Sequence, residues 1–162
     1  MKSTKLISQA ALIAALYVIL TEISAILGLS SGVIQLRFSE ALTVLPLFTP
    51  AAIPGLFVGC IISNILAGGI VWDVIFGSIA TLIGAVGTYY LAKVNKYLSP
   101  VPPILANTVI IPFVLEFAYG AGTEGAFPFF FLTVFIGEFI SCGVFGIPLM
   151  LALEKRKDIF KT

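Results

Sequence analysis

Five carboxylates, Glu22, Glu40, Asp73, Glu116 and Glu138, and one guanidinium, Arg37, stand within or at the edges of apolar runs in this 162-residue chain. An ionisable side chain facing lipid costs on the order of 2.5 kcal/mol or more, so such groups turn inward and pair. Arg37 and Glu40, three residues apart, can neutralise each other on one helix face, and Arg37 can equally pair with Glu22. One arginine cannot serve five carboxylates. The surplus suits a cationic or strongly hydrogen-donating ligand, or carboxyls that keep their protons. Asn64 adds an amide at the same level, and Asn107 is either a helix-to-helix bond or a ligand contact. Trp72, Tyr119, Phe127 and the run of phenylalanines at 129–131 form an aromatic belt, from which one or two rings could stack on a flat ligand.

These groups need elements to hold them, and composition sets the class of those elements. The chain is 59% hydrophobic and 10% charged, with mean hydropathy +1.13, far outside the soluble range. That composition reads as an all-α integral membrane protein. Apolar runs continue to residue 153, too many for a cleavable leader, so residues 1–162 read as one multispanning domain. A net charge of +1 offers nothing to nucleic acid. There is no histidine, and Cys60 and Cys142 read as small packing residues, so no metal or cofactor site is expected.

Six helices are expected. Helix 1 runs from Leu6 to about Leu29, roughly 36 Å. It carries Ala10, Ala11, Ala14 and Ala15 in two overlapping small-xxx-small patterns, either for internal packing or for docking a partner. A polar loop, 28–35, leads to helix 2, Leu36 to Phe48. At about 20 Å that helix is short for a crossing, so it is tilted or its flanking backbone is shielded inside the protein. Pro50 and Pro54 turn the chain into helix 3, about Ala51 to Ala67. Helix 4 follows from Asp73, a candidate N-cap, to Ala92, helix 5 from Pro100 to about Tyr119, and helix 6 from about Phe127 to the charged tail at Glu154.

In this layout Lys2, Lys5, Lys93, Lys96, Lys155, Arg156, Lys157 and Lys161 fall on one side and Arg37 alone on the other. Both termini are therefore expected in the cytoplasm. Counting about 1.5 Å per residue puts Glu22, Glu40, Asn64, Asp73 and Glu116 in the outer half and Glu138 near mid-depth. They are expected to line one cavity.

No zincin, nucleophile-elbow or phosphate-cradling pattern is present, which disfavours an enzyme. Nor is there a nucleotide-hydrolysing motif, so uphill transport would draw energy from an ion gradient or from other subunits. The size favours other subunits, since 162 residues hold two inverted repeats poorly.

Arg37-Phe38-Ser39-Glu40-Ala41-Leu42-Thr43-Val44-Leu45-Pro46, then Thr49-Pro50-Ala51-Ala52-Ile53-Pro54-Gly55-Leu56-Phe57-Val58-Gly59-Cys60, then Asp73-Val74-Ile75-Phe76-Gly77-Ser78 with Thr81-Leu82, resemble the QueT-type queuosine-precursor transporters. The alanine-rich first helix and polar outer pocket are similar to those of substrate-binding components of energy-coupling factor importers. The resemblance implies capture of a 7-deazaguanine from outside. It also implies a transmembrane coupling protein and two cytoplasmic ATPases as partners, docked on the alanine face of helix 1. Arg37, Glu40, Asn64, Trp72, Asp73, Glu116, Tyr119 and Glu138 are then the expected ligand contacts. An importer component for another nutrient, or a non-transporting membrane scaffold, remains the alternative.

Overall fold

The computed structural model describes residues 2–30, 34–118 and 126–160, and every regular element among them is helical. Helix α1 spans Lys2–Ile26, a 3-10 helix spans Phe38–Leu47, and α2 spans Ala52–Leu66. Helix α3 spans Val71–Leu91, and α4, Val101–Phe113, continues into a π-helical turn, Val114–Ala118. Helix α5, Phe127–Glu138, passes through a second π segment, Phe139–Phe145, into α6, Gly146–Glu154. Four of the described helices are long and apolar enough to cross a membrane, Ser3–Ile26, Val71–Leu91, Lys96–Ala118 and Phe127–Glu154, and two shorter apolar ones complete six.

The short second helix is the centre of the bundle. Its residues 39–46 are all buried, and it touches α1, α2, α3, α6 and the second π segment. The expected α-helix is replaced by ten residues of 3-10 helix. A 3-10 helix rises about 2.0 Å per residue, so it still reaches about 20 Å, but it is thinner and can be enclosed on every side. Thr43 fits this register, its Oγ1 donating to the carbonyl of Glu40 three residues back at 2.6 Å. Arg37 lies outside the helix, in extended backbone.

Three further expectations are affected. Helix α3 starts at Val71 with Ile70 at the N-cap, so Asp73 sits inside the first turn, where a carboxylate complements the helix dipole. Helix 5 ends in a π turn, and Tyr119 lies outside the described residues. Ala10 and Ala14 pack within the chain: a Cβ added to Gly55 would meet the Ala10 carbonyl at 2.8 Å, and one added to Gly59 the Ala14 carbonyl at 3.1 Å. Facing alanines and glycines let two backbones approach where lipid supplies no hydrophobic drive. Ala11 and Ala15 face outward.

At one end of the bundle Thr49 donates to Gln9 Oε1 at 2.9 Å, Phe48 stacks on Phe160 at 5.3 Å, and Lys96 pairs with Glu154 at 2.6 Å. The start of α1, the end of the central 3-10 helix and the end of the chain thus share that end. The lysine–glutamate pair is about one-third exposed, so its contribution to stability is small.

Gly59 also lies under Tyr17, whose Cβ would be 2.8 Å from an added Cβ. Gly59→Ala is expected to lower stability by about 1–3 kcal/mol by wedging α1 from α2. Thermal unfolding of the purified chain in detergent reads this, and an unchanged midpoint would show that the helices can separate at no cost.

Candidate functional site

One face of α1 runs Ala10, Ala14, Tyr17, Thr21, Ser24, spaced by three or four residues as a single helical face. Its small half meets α2 and its polar half meets the central 3-10 helix. Tyr17, fully buried, donates its hydroxyl to Glu40 Oε1 in a short contact. Thr21 Oγ1 lies 2.8 Å from Ser39 Oγ, and Ser24 Oγ accepts from the Phe38 backbone N–H at 2.9 Å. Glu40 is thereby fixed at the bundle centre, 3% exposed, and its Oε2 has no hydrogen-bond partner.

The second carboxylate arrives from the long last helix. Glu138 is the final residue of α5, and the wider π turn begins at the next residue, an irregularity common at functional sites. Cys142 donates to Glu138 Oε2 at 3.3 Å, and its Sγ lies 3.5 Å from Thr43 Oγ1. Donor atoms of Glu40, Glu138 and Cys142 all lie within 4.8 Å of one another. The Asn107 amide of α4 lies against Glu138, yet Nδ2 completes no hydrogen bond.

Arg37 closes the cluster from the other side. Its backbone N–H donates to Ser141 Oγ at 3.2 Å and its guanidinium to Asn64 Oδ1 at 3.3 Å. Just before it, the Gln35 backbone crosses directly over Gly137, an approach that leaves no room for a side chain at 137. Asn64 Nδ2 reaches Cys60 Sγ and the Asp73 carbonyl, each at 3.5 Å. Cys60 also accepts from Thr81 Oγ1 at 3.3 Å. Both thiols are buried, as packing residues would be, but each belongs to a polar network.

Of the expected contacts, the fold brings Arg37, Glu40, Asn64 and Glu138 together, with Asp73 beside Asn64. Trp72 is set apart. It is 55% exposed, stacks on Phe76 at 6.0 Å and, with Phe113 and Phe117, lines an apolar groove of about 700 Å³ between α3 and α4. Glu116 is half-buried in the first π turn and makes none of the contacts that join the cluster, and Glu22 is half-buried on α1 with Oε1 unpartnered. Sequence reasoning passed over Tyr17, Thr43, Ser141 and the Cys142 thiol. A signal existed for one of them: Tyr17 begins the polar spacing Tyr17-Thr21-Ser24 along one face of helix α1.

The cluster can accept hydrogen bonds through two carboxylates and donate through one guanidinium and one amide, all within an apolar bundle. That is the equipment to hold a small, polar, hydrogen-donating solute. The comparisons agree with it. The family model described as QueT transporter matches residues 7–155. Over 74 residues the chain is 43% identical to the queuosine precursor transporter QueT of Lactococcus lactis subsp. cremoris (strain MG1363), a match covering 45% of this chain and 43% of that protein's length. No solved structure matches the chain. A membrane-embedded helical bundle whose sequence fits that model from its first helix to its last is assigned by it: the chain belongs to the QueT transporter family.

Proposed function

We propose that this chain, as a single multispanning domain, is the substrate-capturing component of an energy-coupling factor importer and binds a queuosine precursor of the 7-deazaguanine class. The observation that carries this reading is the buried carboxylate pair, Glu40 and Glu138, with donor atoms within 4.8 Å and Glu40 Oε2 left without a partner. Two charged carboxylates this close in an apolar bundle are costly unless one keeps its proton or a cation or several N–H donors come between them. A 7-deazaguanine offers adjacent N–H donors that one carboxylate accepts bidentately, and an aminomethyl substituent is a cation for the second. The family and the name of the Lactococcus relative support the same ligand class.

Both termini face the cytoplasm in this reading, because eight of nine basic residues then lie inside. The Glu40–Glu138 site takes its ligand from outside past Arg37, with Asn64 and Asp73 beside it. Without a nucleotide-hydrolysing motif of its own, the chain draws energy from two cytoplasmic ATPases through a transmembrane coupling protein. Ala11 and Ala15 are the outward part of the alanine surface on α1 and are the docking face.

Calorimetric titration of the purified chain with 7-aminomethyl-7-deazaguanine tests the ligand assignment. Saturable one-to-one binding is expected, with adenine and thiamine giving none. A flat titration with every deazaguanine would leave the scaffold reading, in which the charges only bridge helices.

A further inference from the structure

Asn107 is 4% exposed, and its Nδ2 faces the Glu138 carboxylate but meets it outside ordinary hydrogen-bond geometry. A buried amide donor so poorly satisfied is destabilising, and native interiors rarely keep one. The carboxylate next to it is also underused: Oε2 accepts a hydrogen bond from the Cys142 thiol, a weak donor, while a carboxylate can accept about four. Side by side, α4 and α5 therefore present one N–H donor and two carboxylate acceptors. Glu40 is held more firmly, because the Tyr17 hydroxyl on its Oε1 is a stronger donor than a thiol, and Oε2 is the oxygen left without a partner.

We infer that Asn107 and Glu138 together read the pyrimidine edge of the ligand, Asn107 Nδ2 donating to the 6-oxo oxygen and Glu138 accepting from N1–H and the 2-amino group. This rests on the deazaguanine reading above. The edge runs acceptor, donor, donor, and the protein offers donor, acceptor, acceptor. Glu40, with one open oxygen, takes the substituent at position 7, which projects from the five-membered ring on the side of the 6-oxo group. Asn107 is thus a specificity-determining residue: it favours a base with a strong acceptor at position 6, whereas a 6-amino base, which also lacks N1–H, is rejected by Asn107 and Glu138 together.

The test is calorimetry with three probes, 7-aminomethyl-7-deazaguanine, its 6-thioxo counterpart, which keeps N1–H but carries a weaker acceptor at position 6, and unsubstituted 7-deazaguanine, on the wild type and on Asn107→Leu and Asn107→Ala. The wild type is expected to prefer the 6-oxo probe over the 6-thioxo probe by about tenfold, the cost of one weakened buried hydrogen bond. Both variants are expected to bring that ratio towards one while leaving the preference for the aminomethyl over the unsubstituted base unchanged. Structural damage would instead weaken all probes together. A wild type that binds the 6-oxo and 6-thioxo probes equally, or variants that keep the wild-type ratio, would overturn the assignment of Asn107 and leave the ligand class standing. A wild type that binds none of the three overturns the ligand class itself, and this inference with it.

Discussion

Glu138→Gln is expected to weaken binding of every 7-deazaguanine by about 30- to 1,000-fold, whatever its substituent at position 7. The change keeps the size of the side chain, but it removes the charge and puts an amide N–H where the base presents its own donors. Truncating one partner of a buried charge-assisted hydrogen bond costs about 2–4 kcal/mol, and each 1.4 kcal/mol is tenfold in Kd. Glu40→Gln should behave differently. With Tyr17 holding Oε1, only the open oxygen of Glu40 meets ligand, so its loss falls on amine-bearing ligands and spares the unsubstituted base. Titration of both variants with 7-aminomethyl-7-deazaguanine and 7-deazaguanine separates the two roles. If Glu138→Gln shifts only the melting temperature and leaves cellular uptake intact, the carboxylate bridges helices and does not bind solute.

The contrast between these two carboxylates shows where sequence reading stopped. Composition and the spacing of charged clusters set the class and the six helical segments, because helix length and hydropathy are properties of the chain alone. Convergence of Arg37, Glu40, Asn64 and Glu138 followed from depth counting. Discriminating between neighbours at the same depth did not, because depth says nothing about which face a side chain occupies. Glu116 and Glu138 are equally acidic in sequence, yet one sits in a π turn away from the cluster and the other ends α5 at its centre. Trp72 was expected among the ligand contacts, but its ring is exposed on an outward face. The 3-10 form of residues 38–47 was equally hidden, since tertiary enclosure decides it; Glu40, Thr43 and their α1 partners are brought into register by that thinner helix.

Irregular helices cluster around the site for a physical reason. In an apolar bundle a regular helix repeats its faces every 3.6 residues and rarely aims several polar groups at one point. The thin central helix brings Glu40 and Thr43 within reach of both α1 and the last helix. The π segment after Glu138 turns Ser141 to the Arg37 backbone and Cys142 to Glu138 itself. Each departure keeps its polar groups bonded inside protein, as a bilayer requires of non-α backbone.

Ala11→Trp with Ala15→Trp is expected to abolish co-purification of the coupling protein and its ATPases, and with it uptake, while ligand affinity stays within about twofold of wild type. The structure divides the four alanines by role. Ala10 and Ala14 press against Gly55 and Gly59, so bulk there separates α1 from α2, displaces Tyr17 and costs folding and binding together. Ala11 and Ala15 are exposed one step round the same helix. Bulk at these two positions meets nothing inside the chain, and substitutions on such surfaces usually change stability by less than about 0.5 kcal/mol. What it removes is close approach by another helix, which in lipid depends on small residues rather than on hydrophobic drive. Affinity pull-down from cells expressing the whole importer, set beside calorimetry on the isolated chain, reads the two effects independently. A retained complex would move the docking face to another helix; a lost complex with intact binding places it on the outward alanines of α1.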